Sequence, residues 1–302
     1  MSNSISTMMS TNIASRVTVL SVAVTMLAAT GCSEFGGGST VVPDVTFLPA
    51  DLSGDAVAAD TGAGAGGDAP AAAEAGGVGT IVGKVVFEGT APGLPPQFVK
   101  GADIKDKEVC AAVDVPDERF VMGADNGVAN VFVFMKKAPK GAPEMAVPSE
   151  PVIFDQENCV FKPHCMLVPV GQTIKVLSAD PIAHNTHTNP AKNNGVSSLV
   201  PPNDREGALE LKYTRAEDPF SVTCDFHAWM KAYHMPIDHP YGAVTDENGN
   251  FEIKDVPSGE HEFVVWHEAA AGNYLERKLK VTVGGGSPTE VKIAYPESKL
   301  SL

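Results

Sequence analysis

Positive charge is scarce in this sequence of 302 residues. Lysine and arginine together number 22 against 37 aspartates and glutamates, so the formal net charge is −15. Neither lysine nor arginine occurs between Arg16 and Lys84. This balance argues against nucleic acid and against anionic membrane surfaces as partners, because both attract basic patches. A basic protein partner is compatible with the charge, although the composition does not identify one.

Helical periodicity is also lacking, and strand signals take its place. Between residues 80 and 296, short segments rich in Val, Ile, Phe and Tyr recur, each bounded by Gly, Pro, Asn or Asp; "TIVGKVVFEG", "VANVFVFM" and "HEFVVWHE" are examples. Segments of this kind predict β-strands. The sequence therefore predicts an all-β fold of the sandwich class.

The apolar segment near the N-terminus is short. Residues 17–30, "VTVLSVAVTMLAAT", follow Arg16 and lead to Gly31 and Cys32. This layout is typical of a secretory signal, and the run is too short to span a bilayer comfortably. "ATGC" resembles a bacterial lipoprotein box, which implies a signal peptide over residues 1–31 and a lipid on the Cys32 thiol. The alternative is a plain secretory signal in which Cys32 is incidental.

Residues 32–79 are predicted to form a linker. They consist mainly of Gly, Ala, Asp, Thr and Pro, with almost no aromatic residues. Such a composition cannot bury enough apolar surface to offset the entropy lost on ordering. We expect a flexible acidic linker between a lipid anchor and the folded body. The protein would then lie in the cell envelope, anchored to a membrane and facing the periplasm or the exterior.

The two ends of the strand-rich region resemble the halves of one small sandwich. "GTIVGKVVFEGTAPGLP" resembles the opening strands of the carboxypeptidase regulatory-like family, and "VTDENGNFEIKDVPSGEHEFVVWHE" its closing half, with a turn at Asp246–Gly249 and Phe251 in the core. The resemblance implies a transthyretin-like β-sandwich built from residues 80–148 and 240–296, with residues 149–239 inserted as a second domain. The closing half also resembles the β-sandwich module of rhamnogalacturonan lyases, which implies carbohydrate as a candidate ligand. The alternative is two β domains in tandem.

Metal-binding side chains concentrate in "CDFHAWM", residues 224–230, which contains Cys224, His227 and Met230. In the preceding "FSVTC", the two-residue alternation of a strand puts Cys224 on the inward, apolar face. Another strand, about forty residues earlier, leads to His184. Two imidazoles, a thiolate and a weak thioether form the donor set of a type 1 copper site. The alternatives are half of a structural zinc site, which would need more Cys or His, and no metal.

Together these residues resemble the cupredoxin family, and the Cys-x2-His-x2-Met spacing resembles that of amicyanin-like members, to which methylamine utilization proteins belong. The resemblance implies a Greek-key sandwich over residues 149–239 with one type 1 copper. The implied ligands are His184, Cys224, His227 and Met230.

The same resemblance assigns roles to three further features of the site. Asn185 would brace the ligand loops. One ring edge of His227 would reach the surface and pass electrons. Trp229 would belong to a flat patch around that edge, where a redox partner docks.

The resemblance implies a carrier of single electrons and not an enzyme. Multicopper oxidases need His-x-His pairs and a His-Cys-His element, and the sequence contains neither. No nucleophile–base pattern or Gly-rich phosphate loop stands out. The partners would be redox proteins that the sequence does not name. The alternatives are copper binding or storage without electron transfer, and a structural or carbohydrate-binding sandwich.

Five cysteines occur, and Cys32 and Cys224 already have predicted roles. An exported protein is allowed disulfides. We expect Cys110 to pair with Cys159 and to tie the two predicted domains together. Cys165 would then remain a buried free thiol.

Five further histidines are expected to have structural or surface roles. His187 lies three residues after His184 and is a candidate for a second, surface copper site. The others are His164, His234, His239 and His267.

Overall fold

The computed structural model describes residues 77–302. The predicted signal peptide, the lipidation site Cys32 and nearly all of the predicted linker lie outside these residues. Within residues 77–302, no helix is long and apolar enough to cross a membrane.

The described chain is almost entirely β-structure, as the sequence predicts. It contains one short α-helix, α1 (Lys107–Cys110), and three 3₁₀ turns (Ala124–Asn126, Ala271–Asn273 and Glu297–Lys299). The strands are β1 (Val78–Glu88), β2 (Phe132–Met135), β3 (Val152–Glu157), β4 (Val160–Lys162), β5 (Cys165–Pro169), β6 (Thr173–Val176), β7 (His184–Thr188), β8 (Ser197–Val200), β9 (Leu209–Lys212), β10 (Phe220–Thr223), β11 (Lys231–Ile237), β12 (Gly242–Val244), β13 (Asn250–Pro257), β14 (Gly259–Trp266), β15 (Tyr274–Val283) and β16 (Thr289–Pro296).

These strands form four sheets. Two sheets, β13-β1-β16 and β12-β2-β14-β15, combine strands from both ends of the described chain. The other two, β5-β11-β10-β7-β8 and β4-β3-β6-β9, use only strands between residues 152 and 237. The central strand β1 pairs antiparallel with β13 and parallel with β16. The first and last segments are thus hydrogen-bonded neighbours, while the domain boundaries and the family likeness of this part stay predictions.

Continuous apolar runs mark strands that are buried on both faces. All four residues of β2 are buried. Val133 and Met135 belong to one core, with Phe263 of β14, whereas Phe132 and Phe134 belong to a second core. An uninterrupted apolar run, instead of an alternating one, is what burial on both faces requires. The second core also contains Tyr233, Met235 and Ile237 of β11, so it joins the two pairs of sheets.

The turn before β13 needs its glycine. Gly249 has φ +79°, and its N–H donates to the carbonyl of Asp246 at 3.0 Å. A Cβ at this position would lie 2.5 Å from the backbone oxygen of Val85, so any other residue would clash as well as strain the backbone. Phe251 follows and enters the first core, as the sequence predicts.

A buried charge cluster lies where segments from both parts of the chain meet. The Nε2 atom of His164 is hydrogen-bonded to Glu268, and its Nδ1 atom lies 3.6 Å from Glu118 Oε2. Glu268 also faces Lys231, at 3.7 Å, and the ring of Tyr233 packs against His164. Burial disfavours a charged His164 ring, but the two carboxylates outweigh burial and raise its pKa to about 9.

This raised pKa predicts a stability loss in alkali. The ordinary pKa of histidine, about 6.5, applies to the unfolded chain. The charged His164 therefore contributes fully below pH 6.5, and its contribution is lost as the pH rises through about 9. We expect Glu268→Gln to reduce the free energy of unfolding by roughly 1–3 kcal/mol at pH 6, since Glu118 still contributes to the pKa of His164, and by much less at pH 10.

Urea unfolding of both proteins from pH 6 to pH 10 measures this difference. Glu252→Gln is the matched control, because Glu252 is exposed and, within residues 77–302, forms its ion pair with the exposed Lys254. A constant difference between wild type and Glu268→Gln across the whole range would contradict the assignment.

Candidate metal centre

Strand pairing brings the predicted ligands to one end of a sheet. Strand β7 begins at His184 and pairs antiparallel with β10, which ends one residue before Cys224. The start of one antiparallel strand lies beside the end of its partner. A short loop then leads to β11, with Met230 as its last residue. Phe220, Val222 and Cys224 all belong to the buried core of these sheets, which agrees with the predicted alternation.

Three donor atoms converge in this loop region. The Nδ1 atoms of His184 and His227 lie 3.0 Å apart. The sulfur of Cys224 lies 4.0 Å from the first and 3.7 Å from the second. The three residues are 0–2% exposed. Such a group can hold a metal ion.

Met230 is hydrogen-bonded through its backbone to His227 and Cys224. Its N–H donates to the carbonyl of His227 at 2.9 Å, and its carbonyl accepts the N–H of Cys224 at 3.3 Å. Met230 is 1% exposed and belongs to the same core as Cys224. The three-residue spacing therefore closes one tight loop over the site.

Each imidazole is held by a carboxylate at its outer nitrogen. His184 Nε2 lies 2.9 Å from Asp180 Oδ2, and His227 Nε2 lies 2.9 Å from Asp106 Oδ2. A carboxylate accepts the N–H, so each Nε2 carries the proton and each Nδ1 is free to bind a metal. Two lone pairs 3.0 Å apart repel each other unless a cation or a proton lies between them.

The pKa of the Cys224 thiol is lowered at this site. Burial raises the pKa of Cys224, but a proton held at the Nδ1 atoms of His184 and His227 in the metal-free site, together with the backbone N–H of Asn185, lowers it to about 6, and a metal ion would take the place of that proton. The thiolate is the form of cysteine that binds metals. Two neutral imidazoles and a thiolate, with no carboxylate among the converging atoms, suit copper.

A zinc site fits this arrangement less well. Structural zinc takes four Cys or His ligands. The neighbouring group of Cys159, Asp180 and His184 offers no thiolate, because Cys159 is bonded to Cys110 with a sulfur–sulfur distance of 2.02 Å. This is the disulfide that the sequence predicts. Cys165 is a buried free thiol, also as predicted, and burial raises its pKa well above the ordinary value.

Asn185 connects the two ligand loops. Its Oδ1 accepts the backbone N–H of Asp225 at 2.6 Å, and its Nδ2 donates to the carboxylate of Asp225 at 2.7 Å and to Ser197 at 3.1 Å. Asp225 directly follows Cys224. The amide therefore fixes the backbone that carries the thiolate, the role that the family resemblance implies.

The predicted surface edge of His227 is absent, and that prediction is wrong. His227 is 0% exposed, because residues 97–118, which we call the cover segment, place Asp106 over its outer nitrogen. Trp229 is half-buried: its Nε1–H donates to the carbonyl of Cys159 at 3.1 Å, and its ring packs edge-on against Phe98 at 5.2 Å. Trp229 is thus part of the packing beneath the cover and does not form a flat exposed patch.

The other histidines have protein partners. His187 Nδ1 lies 2.9 Å from Asp225 Oδ1, which gives it a structural contact. His234 is buried, with Tyr213 at 2.8 Å. His239 and His267 are buried too.

Sequence reasoning missed the two supporting carboxylates. Asp180 had a local signal, because it lies four residues before His184 in the loop that leads to the ligand. Asp106 had none of that kind, since it lies 121 residues from His227. Its one indirect signal is Cys110, four residues later, in the predicted disulfide.

No protein-family profile matches this chain, and no curated protein matches it. Among solved structures, a copper-containing nitrite reductase from Thermus scotoductus is 17% identical, with a TM-score of 0.27, over 34% of this chain and 25% of that one. Amicyanin from Paracoccus versutus is 13% identical, with a TM-score of 0.26, over 35% and 97%. A purple cupredoxin from Nitrosopumilus maritimus is 18% identical, with a TM-score of 0.24, over 28% and 99%.

These structural neighbours are cupredoxins and a copper enzyme. The match spans only a quarter of the nitrite reductase chain. At these identities and scores, the case for a metal site rests on the side-chain geometry described above.

The bridging amide gives a testable prediction. We expect Asn185→Ala to lower the free energy of unfolding of the metal-free protein by roughly 1 kcal/mol, because the part-buried N–H of Asp225 loses its acceptor. Asn189→Ala is the control, since Asn189 is exposed and its side chain donates only at 3.3 and 3.4 Å. Chemical denaturation measures both variants, and equal losses would refute the bridging role.

Proposed function

We propose that this protein binds one copper ion in a type 1 site and carries single electrons. The convergence of two imidazole nitrogens and a thiolate, with both outer nitrogens engaged by carboxylates, is the observation that supports this most. His184, Cys224 and His227 would hold the metal, with Met230 as the weak axial ligand. Copper, when bound, supplies a one-electron couple between Cu(II) and Cu(I).

The contribution of the chain is to keep the donor atoms in place. The loop from Cys224 to Met230 is closed by its own backbone hydrogen bonds, and Asn185 ties it to β7. Ligands whose positions are fixed by packing and by outer hydrogen bonds hold one geometry through a change of metal charge. A small rearrangement between the two oxidation states is what a carrier needs.

The burial of the site supports a carrier over an enzyme. With the three donor residues 0–2% exposed, no ligand presents an open face to a substrate. Catalytic metal sites keep a position free for water or substrate. The partner would therefore be another redox protein, which exchanges electrons without reaching the metal.

Copper storage or delivery is the second candidate. The cover segment favours it, because Asp106 closes the ring edge of His227 and so hinders both exchange and loss of the metal. Visible absorption after addition of a one-electron oxidant separates the two candidates, since a carrier then shows the copper(II)–thiolate band and a stored Cu(I) ion that resists oxidation stays colourless.

We also propose that the protein works in the cell envelope. Cys32 would carry a lipid, and residues 32–79 would link it to the folded part. Two features support this proposal: the apolar run that precedes "ATGC", and the linker composition.

Replacing the thiolate tests the copper site directly. We expect Cys224→Ser to abolish the intense visible band of the copper-loaded protein, because that band requires a copper–thiolate bond. Cys165→Ser is the matched control, since Cys165 is the other free cysteine within residues 77–302 and is also buried. Absorption spectra after copper addition measure both variants.

Retention of the full band by Cys224→Ser would contradict the ligand assignment. Loss of the band in Cys165→Ser, with the fold intact by circular dichroism, would show that Cys165 and not Cys224 is the thiolate ligand. A wild type that holds Cu(I) and stays colourless after addition of a one-electron oxidant would favour storage.

A further inference from the structure

The cover segment, residues 97–118, is a closed loop that is pinned beside the metal centre. Its two ends are joined by backbone hydrogen bonds from Gln97 N–H to the carbonyl of Val115 at 2.9 Å and from Val115 N–H to the carbonyl of Phe98 at 2.8 Å. The disulfide from Cys110 to Cys159 fixes its middle to the sheets that carry the ligands. The cover segment is therefore held at both of its ends and at its middle.

Asp106 has a backbone conformation that is set by this loop. Its φ of 52° is left-handed, and its carbonyl accepts the N–H groups of Val109 and Cys110, both at 2.9 Å. Left-handed backbone is tolerated by Asp and Asn better than by most residues. The turn thereby aims the Asp106 carboxylate at His227 Nε2, 2.9 Å away.

The carboxylate of Asp106 pairs with the imidazole of His227. Within residues 77–302, Asp106 forms its ion pair with His227, whereas the nearby Lys107 pairs with Asp103 at 2.9 Å. The Asp106 side chain is 37% exposed and that of His227 is fully buried. The carboxylate thus stands between the imidazole and solvent.

The disulfide also connects the cover segment to Cys159, which helps to hold the Asp180 carboxylate behind His184. The N–H groups of Asn158 and Cys159 donate to the two oxygens of Asp180, at 2.7 and 2.9 Å. The carbonyl of Cys159 accepts from Trp229, whose ring lies 5.2 Å from that of His227. One residue, Cys159, therefore contacts the carboxylate behind His184 and is bonded to the segment behind His227.

From this arrangement we infer that Asp106 is a positioning residue of the metal centre. It holds the His227 ring with Nδ1 turned towards Cys224, and it closes the ring edge to solvent and to any docking partner. The inference rests on the proposed copper site. A carboxylate behind a ligand imidazole makes the imidazole a stronger donor, and loss of such a partner typically weakens metal affinity 10–100-fold. Its negative charge also favours Cu(II) over Cu(I), so removing it raises the reduction potential.

Two substitutions of Asp106 separate the effect of its carboxylate from the effect of its backbone conformation. Asp106→Gly removes the side chain and accepts the left-handed backbone. Asp106→Asn keeps the turn and one oxygen acceptor but removes the charge. Asp103→Asn is the matched control, because it removes one charge from the exposed side of the same segment.

The first readout uses the metal-free full-length protein. The Nε2–H resonance of His227 is expected in wild type and in Asp103→Asn, because a buried N–H on a carboxylate exchanges slowly with water. It is expected to disappear in Asp106→Gly and to exchange faster in Asp106→Asn.

The second readout uses copper alone as the probe. Affinity is expected to fall 10–100-fold in Asp106→Gly and less in Asp106→Asn, with a higher reduction potential in both. Asp103→Asn should match wild type in affinity and differ little in potential.

Wild-type affinity, potential and N–H resonance in Asp106→Gly would overturn the inference. If Asp106→Gly fails to fold, Asp106→Asn decides in the same way. Failure of the wild type to bind copper would instead refute the proposed function, and the N–H resonance of the metal-free protein would still show whether Asp106 holds His227.

Discussion

The metal centre depends on the two hydrogen bonds that lie behind it. Asp180 and Asp106 each accept the Nε2–H of an imidazole at 2.9 Å. Because the protons are held outside, the two Nδ1 atoms face each other and the sulfur of Cys224 as lone-pair donors. Without these carboxylates, either ring could turn or take the other tautomer. The donor set is therefore produced by residues that do not touch the metal.

The fold delivers those residues by two different routes. Asp180 lies four residues before His184, in the loop that precedes β7. Asp106 lies in the cover segment, and its left-handed backbone conformation and the disulfide at Cys110 place it beside His227. The second route also covers the outer nitrogen of His227, so that this imidazole is fully buried although Phe226 in the same loop stays exposed. In the proposed copper protein, this burial would slow both loss of the metal and access for a partner.

Local pattern predicted which side chains lie together in the candidate site, while long-range contact decided their surroundings. The alternation before Cys224, the three-residue spacing to His227 and Met230 and the strand that leads to His184 are all short-range signals. Each of them agrees with the structure. The burial of His227 was not predictable in this way, because the residue that covers it lies 121 positions earlier in a loop without a strong pattern. The apolar runs around β2 and β14 predicted strands, but their burial on both faces depends on which sheet stacks on which.

X-ray absorption at the copper edge of the copper-loaded full-length protein tests the central claim most directly. The account predicts a first coordination sphere of two imidazole nitrogens and a single short copper–sulfur bond, with no strongly bound oxygen. A sphere of nitrogen and oxygen donors alone, or one with several equal sulfur bonds, would contradict it.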